Sequence, residues 1–314
     1  MTRAVDATWA LATPPGVGAI AAIHLEGGVD GALAALRIGN VAVGGVALRD
    51  LCGVDEGLVA RVSDRCAIVM PHGGVGVARG LTDAMSAAGV APAGEADARS
   101  LYPEARSAVE ARALLAIARA HSDDSIDLLL RQHALWSEPA AASEPARDRA
   151  LMRLITPPLV VVAGPPNIGK STLTNALAQR AVSIVADEEG TTRDHVGVRL
   201  SVAGLVVDWV DTPGLRDGAG ADEQQAREIA LRLAERADLV ILCGDAARPP
   251  PRLAAPAGSL TVALRHDLAR AEWPADARVS ARTGEGMVGL AAMIRERLVP
   301  ADLLTRSVPW RFWP

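Results

Sequence analysis

The sequence predicts an α/β protein whose second half is a mostly parallel sheet, preceded by a small α+β domain and a short helical segment. Three observations carry this. Leu159-Val-Val-Val-Ala163 is a continuous apolar run, the pattern of a parallel strand buried on both faces. It opens onto Gly164-Pro-Pro-Asn-Ile-Gly-Lys170-Ser171, a complete G-x-x-x-x-G-K-[ST] loop of the kind that joins a strand to a helix. From there to residue 300, strand-length apolar runs alternate with helical patterns, the order of a parallel sheet with crossovers.

Taken in order, residues 1–100 read as an α+β domain, with strands over 18–25 and within 57–70 separated by Gly and Asp turn signals. Residues 101–150 form a helical segment and linker. Ala108, Val109, Ala113, Leu114 and Ile117, then Ile126, Leu129 and Leu130, recur at helical spacing, with a break near Ser122-Asp123-Asp124 where Ser122 can cap a second helix. Ser137 to Ala146, with two prolines, reads as the linker. In 151–300, a helix over 170–180 follows the loop. A hairpin turns at Ala203-Gly204, Glu223–Arg236 is helical, strands fall at 239–243, 260–264 and 278–279, and a helix spans 287–298. Arg248-Pro-Pro-Pro-Arg252 stands where a crossover helix is expected and denies one. The tail, 301–314, holds three of the eight aromatics and is either a docking strap or a frayed end.

Half of the residues are apolar and the net charge is −5, so a folded chain without a basic nucleic-acid footprint is expected. Cys52, Cys66 and Cys243 form no C-x-x-C and read as small buried hydrophobes. No signal peptide or membrane-length apolar run is seen, and a cytoplasmic protein is expected.

Lys170 is the only lysine; the remaining cations among the 32 Lys+Arg are arginines. A compact ammonium on a thin stem suits a phosphate loop where a wide guanidinium does not. Backbone N–H groups of such a loop and the helix N-terminus make a nest for phosphate oxygens, with Lys170 on the terminal phosphates and Ser171 on magnesium. Val210-Asp211-Thr-Pro-Gly214 follows an apolar strand and suits a second magnesium carboxylate with a glycine amide facing the γ-phosphate. Between them, Gly190-Thr191-Thr192-Arg193-Asp194 supplies a threonine that closes over magnesium when the γ-phosphate is present, so both segments read as nucleotide-dependent switches.

The order GPPNIGKS, GTTRD, DTPGLR and Ser280-Ala-Arg-Thr-Gly-Glu-Gly286 resembles the tRNA modification GTPase family MnmE (TrmE), of the TrmE-Era-like GTPases. Ala12 to Ala21 and Pro71-His-Gly-Gly74 resemble that family's N-terminal segments. The resemblance implies a Ras-like P-loop GTPase domain binding GTP and GDP with Mg2+ and K+. It places Gly164, Asn167, Ile168, Gly169, Lys170, Ser171, Thr172, Thr191, Thr192, Asp211 and Gly214 around phosphates and metal. Ser171, Thr192 and Asp211 would hold magnesium, and Asn167 potassium. Glu223, Lys170 and Gly214 are the candidate catalytic residues, Glu223 standing in for the glutamine that Leu215 replaces; an ordinary first-turn helix acid is the alternative for Glu223. A homodimer through the N-terminal domain, a tRNA and an MnmG-like partner, and a role in wobble-uridine modification are further implications.

The pattern fails in places. The guanine-reading Asn-Lys-x-Asp is here Leu264-Arg265-His266-Asp267, leaving base preference to Asp267 and the loop Ser280-Ala281-Arg282. Val17 replaces the family's arginine, and the Ser-Tyr-Thr-Gly-Glu-Asp stretch before His72 is missing, which argues against a tetrahydrofolate derivative. The family's helical domain and cysteine motif after residue 300 are absent, so a truncated, diverged member is expected. The competing reading is a base-relaxed nucleotide-binding scaffold or switch without turnover.

Overall fold

A computed structural model describes residues 5–13, 18–93, 98–102, 104–118, 120–138, 141–180, 197–212, 214 and 221–313. The chain divides into two compact units. One comprises residues 1–119, 128–141 and 313, the other residues 120–127, 142–312 and 314.

The first unit is built on a six-stranded sheet in the order β3-β4-β5-β2-β1-β6. Its elements are β1 (Ala7–Leu11), β2 (Ile23–Gly27), α1 (Val29–Ala35), β3 (Val46–Leu51), β4 (Asp55–Ser63), β5 (Cys66–Met70), α2 (Val75–Ala87), β6 (Ala91–Pro92), α3 (Ala98–Leu101), α4 (Ala108–Ile117) and, from residue 128 on, α5 (Asp123–Ser137). Period-two alternation sends Ile23, Leu25, Val59, Ala67 and Val69 into a core shared with Leu33 of α1 and Leu81 and Met85 of α2. On the other face Val46, Leu48 and Leu58 remain exposed.

Three expectations shift. The strand read over 18–25 begins only at Ile23. Residues 18–21 instead meet 71–73 through irregular hydrogen bonds, Gly18 N to Gly73 O at 2.9 Å and Ala21 N to Pro71 O at 3.0 Å, and an Ile20–His72 bridge. A Cβ at Gly73 would lie 2.4 Å from Gly18 O, so the two segments that carry the N-terminal resemblance interlock and need glycine. β1, α1 and β3 had no sequence signal strong enough to be read. The linker is also shorter than 137–146. α5 runs to Ser137, and α6 (Pro145–Met152) opens with Pro145 in its first turn, where a missing N–H costs nothing. Ser122 precedes α5, its hydroxyl reaching Ser125 Oγ at 3.5 Å.

The second unit holds the sheet β12-β11-β10-β7-β9-β8, parallel except for the β8/β9 hairpin. It comprises β7 (Leu159–Ala163), α7 (Lys170–Arg180), β8 (Gly197–Val202), β9 (Leu205–Asp211), α8 (Ala221–Arg236), β10 (Leu239–Gly244), β11 (Ser259–Ala263), β12 (Ala277–Arg278), α9 (Met287–Leu298) and α10 (Asp302–Thr305). Val160, Val161, Val162 and Ala163 are fully buried, as the apolar run predicts. No helix crosses between β10 and β11, where the prolines fall. Cys66 and Cys243 are buried and Cys52 is partly so.

Of the two readings of the tail, the docking strap holds. Buried Arg147 donates to the carbonyls of Leu303 (3.0 Å), Arg306 (3.3 Å) and Val308 (3.0 Å), and Asp148 accepts from Arg311 N at 3.1 Å. Trp310 and Phe312 are buried beyond them.

Candidate functional site

The loop after β7 turns sharply because its end is crowded: a Cβ at Gly164 would lie 2.4 Å from Cys243 O on neighbouring β10. Asn167 (φ 59°) and Gly169 (φ 102°) then take left-handed conformations, and Ile168 anchors the loop with a fully buried side chain. The chain enters α7 at Lys170, whose Nζ donates to Gly164 O and Pro165 O, both at 3.1 Å. Burial lowers the Lys170 pKa below its ordinary value; the Asp211 charge opposes that shift and Arg248 adds to it.

Parallel register with β7 brings Asp211, the last residue of β9, opposite Val162 and beside the start of α7. Ser171 Oγ donates to Asp211 Oδ2 at 2.8 Å, while Asp211 Oδ1 is buried without a partner among the described residues. A hydroxyl and a carboxylate oxygen in reserve fit a hard divalent cation. Among the described residues no cluster of three or more His, Cys, Asp or Glu could hold a metal. Thr172 is exposed next to Ser171. Gly214 stands directly over the loop, where a Cβ would come 2.4 Å from Pro166 Cα.

The residues expected to read the base lie in the loops after β11 and β12. Leu264 is buried, its N–H donating to Gly244 O at 2.8 Å. Arg265 (φ 56°) reaches back to Asn167 O at 2.6 Å. Asp267 accepts from Arg282 Nε (3.0 Å) and Nη2 (2.5 Å), and hydrogen bonds from Ser280 and Arg282 hold its carboxyl below the usual range. Ser280 is fully buried and Ala281 lies between the two. Lys170, Ser171, Asp211 and Gly214 thus meet at one end, and Asp267, Ser280 and Arg282 at the other. Thr191 and Thr192 lie outside the described residues, as does the side chain of Glu223, which belongs to the first turn of α8.

Residues 159–266 match the family described as 50S ribosome-binding GTPase. Over 140 residues the chain is 48% identical to the tRNA modification GTPase MnmE of Acidiphilium cryptum (strain JF-5), covering 44% of this chain and 32% of that protein. MnmE of Methylobacterium sp. (strain 4-46) is 41% identical over 202 residues, covering 60% of this chain and 44% of that protein. The mitochondrial 5-taurinomethyluridine-[tRNA] synthase subunit GTPB3 of Rattus norvegicus is 49% identical over 107 residues, 34% of this chain and 22% of that protein.

Residues 159–266 are a P-loop GTPase domain. The chain spans less than half the length of these MnmE relatives. Among the described residues, no helix is long and apolar enough to cross a membrane.

Three residues around the phosphate loop lie outside the candidate set drawn from sequence: Asp245, Arg248 and Arg265. Arg248 Nη1 donates to Pro166 O at 2.8 Å and Nη2 to Asp245 Oδ2 at 3.1 Å. Two of them carried a signal, Arg248 as an arginine abutting three prolines and Arg265 as an arginine in the lysine position of the base motif; Asp245 carried none.

Proposed function

We propose that this chain binds GTP and GDP with Mg2+ and hydrolyses GTP slowly, with K+ as the stimulating cation. The observation that carries the reading is the Ser171–Asp211 pair at 2.8 Å, with Asp211 Oδ1 in reserve, beside a buried Lys170 held only by the loop's own carbonyls among the described residues. The loop amides and the α7 N-terminus take the phosphates, and Lys170 turns from its carbonyls to the terminal ones. Magnesium, held by Ser171 and Asp211 with Thr192, would supply positive charge against the developing phosphate charge. Asn167 would hold potassium, Gly214 would place its N–H at the γ-phosphate, and Glu223 would orient the attacking water.

Residue identities shared with MnmE extend the proposal to tRNA wobble-uridine modification in the cytoplasm, with tRNA and an MnmG-like partner. A homodimer through the first unit is supported by the exposed Val46, Leu48 and Leu58 on one sheet face. The test is hydrolysis of GTP and of ATP, each in sodium and in potassium with magnesium. Turnover of GTP that rises in potassium and falls in Glu223→Ala supports the proposal; no hydrolysis in any arm overturns it.

The second reading, a binding switch without turnover and with relaxed base choice, is favoured by Leu264 and by the Asp267–Arg282 pair. Tight binding of nucleotide, unchanged in rate or affinity by Glu223→Ala and similar for GDP and ADP, would select it.

A further inference from the structure

Four consecutive carbonyls of the phosphate loop are capped by side-chain cations. Lys170 takes those of Gly164 and Pro165 at 3.1 Å, Arg248 takes that of Pro166 at 2.8 Å, and Arg265 takes that of Asn167 at 2.6 Å. The last two matter most. Pro165 and Pro166 carry no N–H, so the anion nest begins with the N–H groups of Asn167 and Ile168. Each of these shares a rigid peptide plane with the carbonyl that precedes it, namely Pro166 O and Asn167 O. Pinning those two oxygens outward turns the two N–H groups the opposite way, and hydrogen bonding to a cation polarises them further.

Arg248 is held in place by built structure. Asp245, buried, accepts from Arg248 N (2.8 Å), Ala247 N (3.1 Å) and Arg248 Nη2 (3.1 Å), while its own N–H donates to Arg248 O at 2.8 Å. Trp273 Nε1 donates to Asp245 O at 2.9 Å. A Cβ at Gly244 would lie 2.7 Å from Arg248 O and 2.8 Å from the Trp273 ring, so the packing leaves no slack. Arg265 Nη1 is 4.0 Å from the same Asp245 Oδ2, so one carboxylate braces both arginines. The three prolines that deny a crossover helix follow directly and restrict the backbone beyond Arg248.

We propose that Asp245 and Arg248 are positioning residues for the nucleotide phosphates: Arg248 orients the first N–H of the loop and adds a cation beside Lys170 that a bound di- or triphosphate offsets. The inference rests on the reading of the loop as a GTP and GDP site. It gives the proline stretch a role in binding phosphates independently of the base.

The test is equilibrium binding of fluorescent GDP and inosine diphosphate, with magnesium, to the full chain and to Arg248→Ala, Asp245→Asn, Lys170→Ala and Asp267→Ala. Arg248→Ala is expected to weaken both nucleotides by the same factor, about tenfold. The thermal midpoint of the nucleotide-free protein should fall only slightly, since Asp245 keeps its two backbone N–H donors, and millimolar guanidinium should restore part of the affinity. Asp245→Asn should shift both nucleotides the same way by less, and Asp267→Ala should spoil only the choice of base. Wild-type affinity in Arg248→Ala, or a loss that guanidinium does not touch and that follows a lowered thermal midpoint, overturns the inference. Should Arg248→Ala not fold, Arg248→Gln carries the same arms. If Lys170→Ala also binds normally, the nucleotide site itself is misread; if only Lys170→Ala loses binding, the site stands and Arg248 has no part in it.

Discussion

At the phosphate end of the site Lys170 is held by two carbonyls and Asp211 keeps one buried oxygen in reserve, whereas at the base end Asp267 is already matched by Arg282 and Ser280. The first arrangement gains from an anion and a cation arriving together. The second must exchange an existing ion pair for the base. In a site so divided, most of the affinity should come from the phosphates, with discrimination between bases as a smaller increment.

The largest expected effect that tests this division is Lys170→Ala. Removing the buried cation should lower GDP affinity about a hundredfold or more, measured by fluorescence titration. A loss under threefold would break the comparison at its stronger end. Asp267→Ala should lower GDP affinity about tenfold while leaving ADP unchanged, so that the GDP-to-ADP ratio collapses. An equal loss for both nucleotides would mean that Asp267 shapes the loop and does not read the base.

The two ends should also differ in pH response. Burial depresses the Lys170 pKa, and a bound phosphate would raise it, so the binding form should be the protonated one. GDP affinity should therefore fall severalfold as pH rises from neutrality through the depressed Lys170 pKa toward the ordinary lysine value of 10.5. Asp267, held below 3.8, stays ionised throughout, so the GDP-to-ADP ratio should hold constant until the guanine N1–H itself begins to ionise. A ratio that drifts with the affinity would link the two ends. The smallest effect is Arg282→Ala: freeing Asp267 from an exposed partner should raise GDP affinity about two- to fivefold. A decrease would show that Arg282 contacts the nucleotide and does not merely compete for Asp267.

Local signals made the second unit legible. The apolar run of β7, the glycines of the loop and the hairpin at Ala203-Gly204 are all consequences of nearby residues, and each element lies where the pattern puts it. The first unit was harder. β3 has exposed Val46 and Leu48 on one face, so its apolar residues mark no buried side even with Gly44-Gly45 before it, and residues 18–21 meet 71–73 across about fifty residues of sequence. Segments that pair across such a separation leave no period in either one.

Residue type, spacing and family resemblance single out Lys170, Ser171, Asp211 and Asp267 as candidates, because phosphate, metal and base chemistry would demand particular groups at particular intervals. Only the tertiary structure decided that Asp267 is paired with Arg282, that Arg147 straps down the tail, and that Asp245 aims Arg248 at Pro166 O across 82 residues of sequence. An arginine's donors can serve any carbonyl that folding brings within reach. The choice among carbonyls belongs to the packed sheet and not to the residue.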